Sequence, residues 1–302
     1  MMALQLQDEL RGEILLGEPL SRHTSWRVGG PARRFYRPAD SDDLLVFLRE
    51  LSPDEPLLWL GLGSNLLVRD GGFDGTVIAT RGRLEGLELT GDHLLRAEAG
   101  VACAKVARMA ARQGLVGSEF LAGIPGTLGG ALAMNAGAFG GETWSLVRQV
   151  ETVDRHGRLR VRLPEDFEIG YRHVRGQPGE WFIAATLELH EGAVEKGQEQ
   201  IRQLLDRRSA TQPVGLPSCG SVFRNPQGDH AARLIEAAGL KGERIGGACV
   251  SEKHANFIIN LGDATAQDIE SLVQLVQQRV EDEFGVRLRT EVKIVGEGIT
   301  KP

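Results

Sequence analysis

One stretch of this chain is nearly free of both charge and bulk. Leu121-Ala122-Gly123-Ile124-Pro125-Gly126-Thr127-Leu128-Gly129-Gly130 continues as Ala131-Leu132-Ala133-Met134-Asn135-Ala136-Gly137-Ala138-Phe139-Gly140-Gly141, and no charge appears before Glu142. Glycine admits positive φ and lets backbone N–H groups come close to a ligand. Successive exposed amides then form a concave anion site without lysine or arginine. A second small-residue segment, Leu60-Gly61-Leu62-Gly63-Ser64-Asn65-Leu66-Leu67, follows an apolar, strand-like run. Two backbone cradles in one chain point to a large phosphorylated cofactor rather than a single phosphate. Each loop also has a plain reading, Gly126-x-x-Gly129 as close packing and Gly61-x-Gly63 as an ordinary turn. Glycine runs that bind nothing cost conformational entropy, which favours function for the pair. Gly61-x-Gly63-x-x-Leu66 lacks the third glycine of the dinucleotide fingerprint, and the chain has no P-loop motif.

With 302 residues the chain can build two domains, or one large one, each with a real core. A net charge of -6 argues against nucleic acid as the main partner. The alternating Arg158, Arg160 and Arg162 follow a turn-like His156-Gly157 and read as the wet side of a hairpin. Cys103, Cys219 and Cys249 are odd in number and widely spaced, which fits a reducing cytoplasm and neither a disulfide framework nor a metal site. Met1 to Glu18 mixes charges with leucines and lacks a signal-peptide core, and no apolar run approaches membrane-spanning length. A cytoplasmic protein is expected.

Elements of both kinds alternate, so the fold class reads as α+β. Ser41 heads a short helix with Asp42 and Asp43 in its first turn. Leu57–Leu60 and Gly75–Ala79 read as strands flanking the first glycine loop, and Ala102–Gln113 as a helix closed by Gly114. Val147–Asp154 and Leu159–Leu163 form a hairpin pattern. Trp181–His190 reads as a strand and Val194–Arg208 as a helix. Ser209 to Pro217 shifts to turn formers, so the chain divides into 1–208 and 209–302. Beyond the boundary, Asp229 can cap a helix to Ala238 with Gly239 as its stop, and Ala255–Asn260 reads as a strand. Thr265-x-x-Asp268 is a capping box. It opens a helix with Ile269, Leu272, Val273, Val276 and Val280 on one face, ended by Gly285. Thr290–Val295 forms a last strand.

Several polar residues stand out against this frame. Ser221 lies in Cys219-Gly220-Ser221-Val222-Phe223-Arg224-Asn225-Pro226, where it is either a positioned hydroxyl or a turn serine, and no Ser-His-Asp set can be assigned. Arg172, in Gly170-Tyr171-Arg172, can clamp a carboxylate bidentately, though a surface arginine is the default. Glu291 alternates with apolar residues, as the polar face of a strand does. His254 is either a ligand group or a core histidine.

Taken in order, these motifs resemble the UDP-N-acetylenolpyruvoylglucosamine reductase family of flavoenzymes in peptidoglycan precursor synthesis. The resemblance rests on Gly61 to Leu67, Gly123 to Gly130, Gly170 to Arg172, Cys219 to Pro226, Val250-Ser251-Glu252-Lys253-His254-Ala255-Asn256-Phe257 and Glu291-Val292-Lys293-Ile294. It spans Thr24 to Gly296. It implies a two-lobed FAD-binding domain of the vanillyl-alcohol oxidase-like type, with lobes of roughly 1–90 and 91–208, followed by a smaller α+β substrate domain. Non-covalent FAD would lie against Gly61, Leu62, Gly63, Ser64, Asn65 and Leu66, and against Gly123, Ile124, Pro125, Gly126, Thr127, Gly129 and Gly130, with Asn135 and Gly137 beyond.

The resemblance also implies Arg172, Ser221 and Glu291 as the catalytic set, and Tyr171, Asn225 and His254 as substrate contacts. NADPH would be co-substrate and UDP-N-acetylglucosamine enolpyruvate the substrate. Tyr36 and Tyr171 are the chain's two tyrosines, so it resembles the shorter subgroup that lacks a tyrosine-bearing loop over the substrate. The rival readings are another FAD oxidoreductase, which would need the glycine loops but not the Ser221 and Glu291 motifs, and a nucleotide-sugar binding module without flavin.

Overall fold

The structure is a computed structural model and describes residues 10–299. The opening of the charged, leucine-containing segment, residues 1–9, lies outside them. The chain divides into two compact units. The first takes the described residues up to Leu15, Arg34–Leu62 and Gly75–Asp206, and the second takes Leu16–Arg33, Gly63–Asp74 and Arg207 onward. Segments 16–33 and 63–74 thus belong to the second unit although they precede the turn-rich Ser209–Pro217. Among the described residues no helix is long and apolar enough to cross a membrane.

The first unit is built on a five-stranded antiparallel sheet, ordered Leu159–Arg162, Val147–Asp154, Glu180–Glu188, Leu94–Glu98, Leu87–Gly91. The expected strand Trp181–His190 breaks at buried Leu189, and His190–Glu191 pairs instead with Leu115–Val116. The arginine-bearing strand is exposed on both faces, Leu159 and Val161 included, and its least exposed residue is Arg162, which forks onto Glu180 at 2.6 and 3.1 Å. Helix α1 (Ser41–Glu50) buries Leu44, Leu45, Phe47 and Leu48. Its cap is Asp40 and not Ser41. The Asp40 carboxylate accepts from the backbone of Asp43, whose own carboxylate accepts from Tyr36. Helices α2 (Cys103–Arg112) and α3 (Leu128–Met134) pack Val106, Ala110, Leu128 and Leu132 against Leu95, Val150 and Leu187. Helix α4 (Val194–Thr211) runs three residues past its expected end.

The second unit centres on α6 (Ala266–Phe284), whose Ile269, Leu272, Val273, Val276 and Val280 are buried against Trp26, Leu67, Phe223 and Ile258. Both halves of the Thr265/Asp268 capping box form, at 3.0 and 2.9 Å, and Gly285 ends the helix at a φ of 66°. Asp70 adds a second cap, accepting from the Ala266 and Gln267 amides at 2.9 Å each. Helix α5 (Ala231–Ala237) is shorter than expected, and Asp229 does not cap it. Asp229 forks onto Arg233, which holds its carboxyl down at about 2, while Asn225 Oδ1 accepts from the first helical amide, Ala231, at 3.1 Å. Ile258–Asn260 joins an antiparallel sheet with Ala248–Val250 and Arg244–Ile245. Of the expected strand Thr290–Val295, only Lys293–Val295 pairs regularly, in parallel with Leu66–Val68. Residues before it turn to the Ser221 segment instead, with Thr290 bridged to Phe223.

Candidate functional site

In the first unit the glycine loops open on a cavity of about 250 Å³. Gly61, Thr127, Gly129 and Gly130 line it together with Trp59 and Trp181, which stack at 5.4 Å. Gly61 has no steric alternative here, since a Cβ at this position would lie 2.2 Å from Thr127 Oγ1. That hydroxyl and the Trp59 indole N–H are both buried without a hydrogen-bond partner. Buried polar atoms are normally satisfied, so two orphans in one cavity mark a place for a polar ligand. The cradle is narrower than its glycine count suggests. The N–H groups of Gly126, Leu128 and Gly129 already bond to the carbonyls of Ile124, Val101 and Ala99. Gly123, Ile124 and Pro125 belong to the same connection into α3 and are absent from the cavity lining. No sequence motif marks out Trp59 or Trp181; Trp59 lies two residues before Gly61, a spacing that puts both on one face of the strand's path.

Also in the first unit, Glu168–Gly170 pairs with His173–Arg175 and leaves Tyr171-Arg172 as a two-residue turn. Arg172 sits at a φ of 52°. Its Nη2 donates to Gly137 O at 2.8 Å and its Nη1 to Asn135 O at 3.3 Å, while its guanidinium carbon lies 5.2 Å from the ring of half-exposed Tyr171.

The second unit holds the rest of the first loop, from Gly63 to Leu66, and the other two candidates for catalysis. Gly63 O accepts from the Ser25 amide at 3.1 Å. Asn65 donates its side-chain amide to Glu291 O at 3.1 Å, and Lys293 N donates to Asn65 O at 3.1 Å. Glu291 N donates to Val222 O at 2.8 Å, so Glu291 and Ser221 are neighbours across a backbone contact. Asn256 braces the same segment, accepting from Phe223 N and donating to Phe223 O. Burial pushes the Cys219 thiol well above its ordinary value, and the nearby Glu291 carboxylate adds to the shift. His254 packs edge-on to Phe257, and its Nδ1 is buried without a partner. Burial lowers its pKa, so the ring favours the neutral form.

Residues 32–162 match the family model of an FAD binding domain. The fold and cavity of the first unit, with its orphaned Thr127 hydroxyl, fit that group, and the protein is an FAD-dependent oxidoreductase in class. Residues 212–295 match the C-terminal domain of UDP-N-acetylenolpyruvoylglucosamine reductase. A reductase of that name from Methylococcus capsulatus is 66% identical over 287 residues, covering 95% of this chain and 94% of the relative. One from Alkalilimnicola ehrlichii is 64% identical, over 95% of this chain and 96% of the relative. The crystal structure of the Thermus caldophilus reductase superimposes with a TM-score of 0.81 at 36% identity, over 94% of this chain and 99% of that one. The chain belongs to the UDP-N-acetylenolpyruvoylglucosamine reductase family.

Proposed function

We propose that this protein reduces the enolpyruvyl ether of UDP-N-acetylglucosamine to UDP-N-acetylmuramate with NADPH, in the cytoplasm, as a step of peptidoglycan precursor synthesis. What supports this reading most is the pairing of the Ser221 segment with Glu291, since a generic flavin oxidase needs neither residue. FAD, held beside Gly61, Thr127 and Trp59, would supply the hydride chemistry that links NADPH to the enolpyruvyl substrate.

This chain's residues do the rest. Thr127 and Trp59 offer their orphan polar groups to the cofactor beside Gly61. Arg172 meets the substrate carboxylate with a planar fork and stabilises the negative charge that develops there as the enolate forms. Glu291 has the part of helping to polarise the carboxylate. A serine is a weak acid, yet an enolate carbon is a strong base, so Ser221 Oγ can supply the proton to C2. Hydride and proton together account for the two hydrogens gained, with NADPH oxidised. Asn225, Tyr171 and His254 serve as substrate contacts. The Asn225 amide nitrogen serves that role, its oxygen being committed to the α5 cap.

The test is spectroscopic. Purified protein should be yellow, release FAD on denaturation, bleach anaerobically with NADPH and recover its colour on addition of the enolpyruvyl substrate. Protein that is colourless and cannot be reconstituted with FAD would overturn the reading. It would leave the nucleotide-sugar binding module as the better one.

A further inference from the structure

Asn135 is 1% exposed and closes α3 in the left-handed region, at a φ of 47°. Its amide is fully engaged by protein. Oδ1 accepts from Trp144 N at 3.1 Å, and Nδ2 donates to Glu142 Oε2 at 2.9 Å and to Gly170 O at 3.2 Å. Gly170 is the residue that opens the Tyr171-Arg172 turn. At the other end of that turn, the Asn135 carbonyl accepts from the Arg172 guanidinium, beside the Gly137 carbonyl. One residue therefore grips both the backbone that launches Arg172 and the head group that Arg172 presents.

We infer that Asn135 is a positioning residue for Arg172, acting on the substrate carboxylate through that arginine rather than on the cofactor. The inference rests on the reductase reading above. Arg172 needs such support because its φ of 52° is one that bulky L-residues avoid, and such a conformation persists only where the surroundings impose it. The two carbonyls take an N–H from each terminal nitrogen, which fixes the plane of the fork, and bidentate recognition of a carboxylate depends on that plane. Gly137 has its own part in the seat through its carbonyl; a Cβ there would stand 2.5 Å from Gly141 O and 3.1 Å from Arg172 Nη1.

Two variants of the holoenzyme test this. Asn135→Gly keeps the left-handed backbone and removes the amide. Asn135→Asp keeps shape and turns the donors into an oxygen facing the Glu142 carboxylate and the Gly170 carbonyl. FAD content and the rate of flavin reduction by NADPH should stay near wild type in both, while the thermal midpoint falls because buried polar groups lose their partners. Affinity for the carboxylate-bearing product, read from its perturbation of the flavin spectrum, should weaken. Reoxidation by the enolpyruvyl substrate should slow by about 10- to 100-fold, the scale seen when a group that orients a reacting residue is removed. In an Arg172→Lys background the same change at Asn135 should have no further effect, whereas an unrelated structural defect would add to it. Loss of FAD or of the NADPH half-reaction, wild-type reoxidation, or additivity with Arg172→Lys would each overturn the inference. Wild-type holoenzyme that the enolpyruvyl substrate fails to reoxidise would overturn the reductase reading, and this inference with it.

Discussion

The Asn65 side-chain amide donates to the Glu291 carbonyl at 3.1 Å, joining residues 226 positions apart. The Glu291 amide in turn donates to Val222 O, so the backbone of this acidic residue is held on both sides, one residue away from Ser221. The first glycine loop therefore has a second task besides approaching a cofactor. From Gly63 onward it belongs to the unit that carries Ser221 and Glu291, and it fixes where Glu291 stands.

The cradle is sensitive to single methyl groups. Gly61→Ala places a Cβ against Thr127 Oγ1 and should yield protein that folds but retains little FAD. Thr127→Val keeps the shape and deletes the orphan hydroxyl. It should raise the dissociation constant for FAD by a few-fold to about tenfold, the worth of one net hydrogen bond. Titrating apoprotein with FAD by fluorescence measures both. An unchanged affinity in Thr127→Val would show that the hydroxyl does not meet the cofactor.

Arg172→Lys should lose turnover although the positive charge remains, because an ammonium cannot present the guanidinium's planar fork. Glu291→Gln should behave likewise. Flavin reduction by NADPH should survive in both, since no substrate carboxylate is present in that half-reaction. Stopped-flow measurement of the two half-reactions separates the cases. Equal loss of both would point to misfolding or a cofactor role.

Ser221→Ala should bind FAD and be reduced normally, because one hydroxyl in a half-buried turn contributes little to folding. Reoxidation by the enolpyruvyl substrate should fall by at least about 10²–10⁴-fold, the usual contribution of a general acid. The double change with Cys219→Ala is the control, since the Cys219 thiol is kept protonated by burial and by Glu291. Ser221→Cys should retain some activity. Near-normal reoxidation in Ser221→Ala would make Ser221 a turn residue.

His254 links stability to pH in a defined direction. Burial lowers its native pKa below the ordinary 6.5, so the unfolded chain takes up this proton first. Its contribution to stability is complete above about pH 6.5 and is lost as pH falls from there toward the native value. Urea unfolding from about pH 7.5 to about pH 5, the range in which histidine titrates, should show a steeper loss in wild type than in His254→Gln. Parallel curves would show that the buried ring carries no such linkage.

Parts of this molecule were legible in the chain because the forces behind them act over three or four residues. The capping box of Thr265 and Asp268, the stop at Gly285 and the apolar face of α6 all follow from spacing alone. The same holds for the strand Val147–Asp154. Sequence could not decide between chemically equal partners. Asp229 and Asn225 both offer a capping oxygen to α5; Arg233, four residues on from Asp229, takes one, while the chain path delivers the other. Nor could it reveal that Asn135 would bind Gly170, or that Asn65 would reach Glu291. Side-chain amides bond to whatever carbonyl the fold brings within about 3 Å, and over separations of 35 and 226 residues only the tertiary path of the chain sets which carbonyl that is.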